Sequence, residues 1–181
     1  MFLAVYLIYT TDGNAVAYTW ALILTILAFA LDGVDGYVAR KFNEVSKFGA
    51  LLDIMGDRIV ENTYWILFAV MGWINIIFPL IAITRGFITD TIRSAAMEKG
   101  LTPFGMQVNP ICKWITGSKL MRISYAVAKV VAFVLIVAAK INGIPYAEII
   151  WTIGYGAAIF AIVFCVIRGL PVVIEAKRVV E

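Results

Sequence analysis

Long apolar runs, separated by short polar or glycine-containing breaks, divide the chain into helical segments. Each run is close to the length of about 20 residues that an α-helix needs to cross a lipid bilayer. The breaks fall at residues 10–14, 72–75, 94–118 and 142–145. The pattern predicts membrane spans over residues 17–34, 54–73, 75–93, 120–139 and 146–168.

The opening stretch, MFLAVYLIY, is apolar but only nine residues long, which is too short to cross a bilayer. It carries no basic residues of the kind that begin a signal peptide. We interpret it as the second half of a first span whose beginning is missing or lies at an alternative start. The predicted fold is therefore all-α: a single polytopic domain over residues 1–181, built as a bundle of six transmembrane helices with the first apparently truncated.

Composition supports a membrane protein and excludes several kinds of chemistry. Apolar residues make up 62% of the chain and charged residues 15%, against about 45–50% and 25% in soluble domains. A net charge of +3 gives no indication of nucleic-acid binding. Histidine is absent, which excludes Ser-His-Asp catalysis and histidine metal sites. Cys112 and Cys165 lie far apart in the sequence and are expected to be free thiols.

The distribution of basic residues predicts the orientation in the membrane. Residues 32–58, 84–122 and 168–181 hold four, six and three of the chain's 15 lysines and arginines. The predicted spans place these three segments on the same side. Because positive residues concentrate in cytoplasmic loops, this side is expected to be cytoplasmic, in a multi-pass protein of the cell membrane.

Four aspartates stand out on this side of the predicted bundle. Asp32 and Asp35 are three residues apart on one helix, and Asp53 and Asp57 are four apart on the next. Each pair therefore shares a helical face, and the two helices can bring four carboxylates together. Such a cluster needs cations in a low dielectric. Oxygen ligands alone favour hard divalent ions, Mg²⁺ or Mn²⁺, and two such ions can clamp both ends of a phosphoryl displacement.

Small residues between these aspartates leave room for close helix packing or for a nucleotide against the backbone. Arg40, at the end of the first of the two helices, can meet a diphosphate with its fork of donors. The whole stretch reads Asp32-x2-Asp35-Gly36-x2-Ala39-Arg40-x8-Gly49-x3-Asp53-x3-Asp57. It resembles the full signature of the CDP-alcohol phosphotransferase family.

This resemblance implies a homodimer of six-helix subunits with a binuclear metal site at the cytoplasmic face. It also implies attack by an alcohol on the diphosphate of a CDP-linked donor, with release of CMP. By motif position Asp32, Asp35 and Asp53 resemble the metal ligands, and Asp57 resembles the fourth ligand and general base. The positions that resemble those accommodating CDP are Gly36, Ala39, Arg40 and Gly49.

A second set of basic residues bears on the alcohol. Arg85 and Arg93 are eight residues apart and share roughly one helical face. Lys119 and Arg168 lie at the cytoplasmic ends of later spans, and together these cations suit an anionic acceptor such as a polyol phosphate. The spacing Arg-x7-Arg-Ser, followed by Ala-x-Glu-Lys-Gly, is similar to the phosphatidylglycerophosphate synthase branch of the family. That branch uses CDP-diacylglycerol as donor and glycerol 3-phosphate as acceptor. Gly86 and Asp90 depart from its usual pattern.

Several alternatives stay open at the level of the sequence. The same reaction with another acceptor, such as inositol phosphate, serine or another polyol, keeps the aspartate motif. A membrane prenyltransferase and an acid-lined ion or proton pathway are less favoured readings of intramembrane acids. Glu61 is expected either to support the metal site or to form a helix-to-helix hydrogen bond, and Lys129 either to pair with an acid or to reach a cavity. The aromatic stripe Trp65, Phe68, Trp73 and Phe78 predicts packing.

Overall fold

A computed structural model gives the fold, and it is entirely helical over the residues that it describes. The described residues are 1–11, 13–41, 47–99 and 107–176. Within them, side chains are described everywhere except at residues 32–41, 47–48, 50–51 and 53.

Helices occupy all the predicted spans. They are α1 (Phe2–Thr10), α2 (Ala15–Lys41), α3 (Lys47–Val70), α4 (Ile77–Glu98), α5 (Pro110–Gly117), α6 (Lys119–Ala139) and α7 (Ala147–Ile174). The short helix α5 was not predicted, because it lies within a segment that we interpreted as a loop. Most of these helices also extend past the apolar runs into their polar flanks, because backbone hydrogen bonding continues where hydropathy falls.

Polar residues in the predicted breaks end one helix and begin the next. Asn14 caps α2, since its side-chain oxygen accepts from the N–H groups of Val16 and Ala17 at 3.0 and 3.2 Å. Ser118 caps α6 by accepting from the N–H of Met121 at 3.2 Å. The Asn142 side chain donates to the carbonyl of Gly13 at 2.6 Å, so two distant breaks are tied together.

The core is aromatic and lies where α3 packs beside α6. Tyr64, Trp65 and Phe68 of α3 are fully buried, and each meets the ring of Phe133 from α6. The ring centroids are 5.2, 4.7 and 5.6 Å apart, which is the favoured range for aromatic pairs. Packing of the predicted aromatic stripe is thereby confirmed.

Two helices of the described part, α6 and α7, are long and apolar enough to cross a membrane by length and composition. In α2 the apolar stretch is shorter and covers Ala15–Leu31. The predicted spans in α3 and α4 contain charged residues, among them Arg58, Glu61 and Asp90. These charges pair with other charges of the protein, as described below.

Candidate active site

The four predicted metal ligands lie on two consecutive helices. Asp32 and Asp35 belong to the second half of α2, and Asp53 and Asp57 to the first half of α3. The side chains of Asp32, Asp35 and Asp53 lie outside the described residues, whereas that of Asp57 is described and exposed. Within the described residues no group of three or more acidic or cysteine side chains is assembled to hold a metal ion. Convergence of the four carboxylates therefore stays a prediction.

The predicted nucleotide positions share this part of the fold. Gly36, Ala39 and Arg40 lie in α2, and nothing beyond their helical backbone is described. Gly49 lies in the first turn of α3 and is exposed.

Three of the four predicted acceptor cations come together between α4 and α7. Arg85 and Arg93 of α4 and Arg168 of α7 lie close enough to repel one another electrostatically. The Nε atoms of Arg85 and Arg168 are buried and have no hydrogen-bond partner within the described part of the chain. Like charges held close together in a partly buried site favour an anionic ligand. Lys119, the fourth cation, begins α6 and is exposed.

Neighbouring residues hold this arginine cluster (Arg85, Arg93 and Arg168) in place. The Arg168 guanidinium lies over the ring of Tyr125, 5.5 Å from the centroid, and its Nη2 donates to the carbonyl of Thr116 at 3.4 Å. The Arg85 stem runs across the surface of Gly169. A Cβ built on that glycine would lie 2.9 Å from Arg85 Cγ and 3.0 Å from its Nε. Only a glycine lets the two helices approach with the arginine between them.

An apolar cavity adjoins the arginine cluster. It has a volume of about 360 Å³ and is lined by α4 and α7. Its polar lining is limited to Thr84, Arg85 and Thr89, and the other lining residues are aliphatic side chains and Gly169.

A buried polar network joins α3 to α6, about one helical turn after Asp57 along α3. Glu61 Oε2 lies 3.2 Å from the Lys129 ammonium, and the other carboxylate oxygen accepts a hydrogen bond from the Tyr125 hydroxyl. All three residues are buried. Lys129 therefore pairs with an acid, and Glu61 forms a hydrogen bond between helices. The other predicted role of Glu61, support of the metal site, stays a prediction.

An ion pair joins α3 to α4. Arg58 donates to both carboxylate oxygens of Asp90, at 3.0 and 3.1 Å, and Arg93 lies 3.8 Å from the same carboxylate. In the sequence, Asp90 stands out only as a departure from a family pattern, and Arg58 does not stand out. The available signal was that both residues are charges inside predicted spans. Their pairing could not be predicted, because Arg58 and Asp90 lie 32 residues apart along the chain.

The short helix α5 is fastened to the end of α7. The buried carboxylate of Glu175 accepts from the N–H groups of Val108 and Asn109 at 2.9 and 3.0 Å. Asn109 in turn caps α5, and Pro110 occupies its first position.

Cys112 lies on the same helix, α5. Partial burial and then the charge of Glu175 raise the pKa of its thiol. Both cysteines are free, as predicted.

Known proteins resemble this chain. CDP-diacylglycerol–glycerol-3-phosphate 3-phosphatidyltransferase of Mycoplasma pneumoniae is 33% identical over 101 residues, which cover 56% of this chain and 43% of that protein. The enzyme of the same name from Rickettsia typhi is 26% identical over 138 residues, 76% of this chain and 71% of the relative. CDP-diacylglycerol–inositol 3-phosphatidyltransferase 1 of Arabidopsis thaliana is 54% identical over 37 residues, 20% of this chain and 16% of the relative.

The chain spans less than half the length of the Mycoplasma relative that it matches. The family comparison covers far more. The profile of the CDP-alcohol phosphatidyltransferases matches residues 1–176, which include the aspartate motif, the arginine cluster and every helix described above. The chain therefore belongs to the CDP-alcohol phosphatidyltransferase family.

Proposed function

We propose that this protein transfers the phosphatidyl group from CDP-diacylglycerol to glycerol 3-phosphate in phospholipid biosynthesis, with release of CMP. The observation that carries the choice of an anionic acceptor is the arginine cluster, because three guanidinium groups lie close together and the neighbouring Asp90 carboxylate is shared between Arg93 and Arg58. A phosphorylated acceptor supplies net negative charge, whereas serine is a zwitterion without net charge and free inositol is neutral. The names of the Mycoplasma and Rickettsia relatives support the same acceptor.

The family is generally dependent on divalent metals. Carboxylate oxygens are the ligands that Mg²⁺ and Mn²⁺ prefer, so the donor set on α2 and α3 fits such ions. We infer that Asp32, Asp35, Asp53 and Asp57 would hold two of them. When bound, the ions supply neutralisation of the diphosphate and of the leaving CMP.

The chain's own residues then have separate tasks. The arginine cluster binds the acceptor phosphate and orients its hydroxyl. Asp57 takes the hydroxyl proton, as a carboxylate within hydrogen-bond reach can do. The acceptor oxygen bonds to the phosphorus that bears diacylglycerol, and the bond from that phosphorus to the CMP oxygen breaks. Gly36, Ala39, Arg40 and Gly49 accommodate the cytidine nucleotide, and Lys119 adds positive charge near the acceptor.

We further propose a single domain over residues 1–181 with six membrane spans, a cytoplasmic active site and a homodimeric assembly. The membrane-embedded character of the family, the two apolar helices α6 and α7 and the concentration of basic residues on one side support this arrangement.

An acceptor panel tests the proposal. Purified protein in detergent is incubated with labelled CDP-diacylglycerol, Mg²⁺ and, separately, glycerol 3-phosphate, inositol 1-phosphate, inositol, serine or no acceptor. We expect CMP release that depends on glycerol 3-phosphate. Release without any acceptor, or none with any of them, would count against phosphatidyl transfer. Turnover with inositol 1-phosphate alone would reassign the acceptor, and turnover with a prenyl diphosphate in place of the CDP-lipid would favour the prenyltransferase alternative.

The role of Asp57 has its own test. Asp57→Asn should lower kcat by at least about a hundredfold, within the range that a general base contributes, while much of the affinity for the CDP-lipid is retained. Donor binding is measured by fluorescence with a labelled CDP-lipid, and turnover by CMP release. Full turnover in this variant would remove Asp57 from the role of base.

A further inference from the structure

Five charged side chains of alternating sign cross the protein from α4 through α3 to α6. In order they are Arg93, Asp90, Arg58, Glu61 and Lys129, and we call them the charge ladder. Successive partners lie 3.8, 3.0, 3.9 and 3.2 Å apart, measured between the closest nitrogen and oxygen atoms. Every charge thus has an opposite charge as its neighbour.

The charge ladder is most buried at its α6 end and most exposed at Asp90. The side chains of Arg93, Asp90 and Arg58 are 19%, 38% and 24% exposed, and those of Glu61 and Lys129 are 4% and 9% exposed. Removing one partner of a buried pair leaves the other charge uncompensated, which is far more costly than losing a surface pair. The hydroxyl of Tyr125 bonds to the Glu61 carboxylate as well, so the α6 end is fixed by two residues.

The position of the ladder links the two halves of the proposed active site. Arg58 directly follows Asp57 on α3, and Glu61 lies one turn further along the same helix. At its other end Arg93 is a member of the arginine cluster. One residue of slip would move α3 by about 1.5 Å and rotate it by about 100°, which would break the two-point contact of Arg58 with Asp90.

We propose that the charge ladder is a positioning device that fixes the general base on α3 relative to the acceptor arginines on α4, with Asp90 as its central positioning residue. This inference rests on the proposed function. Asp90 contacts both Arg58, beside the base, and Arg93, in the arginine cluster. Asp90 thereby fixes the position of the acceptor hydroxyl relative to the general base while the arginine cluster binds the acceptor phosphate.

Asp90→Asn tests this role. We expect kcat/KM for the acceptor to fall about tenfold or more, in keeping with the large rate losses that small misplacements of reacting groups produce. Both kcat and the acceptor KM should contribute, whereas the KM for the CDP-lipid should stay within about twofold. Asp90→Glu should retain most of the activity, because its carboxylate can still reach Arg58. The control Glu148→Gln, an exposed acid at the far end of α7, removes the same charge and should match the parent protein.

Two kinetic results would overturn the proposal. One is an Asp90→Asn variant that unfolds at a lower temperature but keeps the parent kcat/KM well below that temperature, since the ladder would then be structural only. The other is equal loss for donor and acceptor. Inorganic phosphate provides a readout without turnover, through the shift in unfolding temperature that it causes. If the parent protein binds phosphate but turns over no acceptor, the proposed function fails. Separately, an unchanged phosphate affinity in Asp90→Asn would refute the positioning role of the charge ladder.

Discussion

The contact between Gly169 and Arg85 gives a sharp test of the proposed acceptor site. The smallest possible change, Gly169→Ala, places a methyl group 2.9 Å from Arg85 Cγ and 3.0 Å from its Nε. Carbon atoms in ordinary contact stay about 3.5–4.0 Å apart. The arginine stem must therefore move by roughly 0.6–1 Å at least. The clash involves Cγ, close to the backbone, so rotating the tip alone does not relieve it.

The expected loss follows from what Arg85 contributes. A hydrogen bond to a charged group is worth about 1.5–3 kcal/mol, and about 1.4 kcal/mol corresponds to a factor of ten. Complete loss of the Arg85 contact with the acceptor phosphate would then lower kcat/KM roughly tenfold to a hundredfold. Gly169→Ala should cause part of this fall in kcat/KM, and Arg85→Ala should cause all of it.

Steady-state CMP release, with donor and acceptor varied separately, measures the effect. We expect Gly169→Ala to raise the acceptor KM and to leave the donor KM within about twofold. Gly156→Ala is the matched control, because it makes the same change on α7 at a site where nothing lies within 4 Å of the new methyl group. In a double-mutant cycle, Gly169→Ala should add little to Arg85→Ala, since both act through one side chain.

Parent-like acceptor kinetics in a folded Gly169→Ala protein would refute this reasoning. A loss that is simply additive with that of Arg85→Ala would do so too, because the methyl group would then act by another route.

Two further predictions concern packing and the α5 attachment. A methyl group at Gly154 would lie 3.0 Å from Leu135 Cβ and 3.1 Å from the Ile136 backbone nitrogen, so Gly154→Ala should destabilise the protein by about 1–3 kcal/mol through overpacking. Thermal unfolding in detergent measures this, and a melting temperature at or above that of the Gly156→Ala control would contradict it. Glu175→Gln removes a charge that helps raise the Cys112 pKa, so the pH midpoint for alkylation of that thiolate should move down. The rate is followed against pH in a Cys165→Ala background, and an unchanged midpoint would show that burial alone raises the pKa.

Local signals in the sequence predicted the helices well. Apolar runs and capping residues such as Asn14 act over a few residues, so they can be recognised without a fold. The helix α5 was missed although Asn109-Pro110 is a strong helix-start signal, because the segment was interpreted only as the hydrophilic break between two spans. Spacing along a single helix likewise put Arg85 and Arg93 on one face.

Contacts between helices could not be predicted in the same way. Glu61 and Lys129 were recognised as polar residues inside spans, but their pairing joins positions 68 residues apart and depends on how α3 packs against α6. The approach of Arg168 to the two arginines of α4 depends on Gly169, whose role appears only once α4 and α7 are placed together. The convergence of the four aspartates, inferred from helical spacing and family resemblance, stays a prediction.

The attachment of α5 to Glu175 has a consequence for the order of folding. The bonds from Val108 and Asn109 reach a carboxylate 67 and 66 residues later in the chain. The ribosome synthesises that carboxylate after α6 and α7, and a domain assembles as its elements become available. Helix α5 therefore cannot take its final position beside Arg168 until Glu175 has been made. The attachment of α5 and the completion of the proposed acceptor site thus depend on the same late residue.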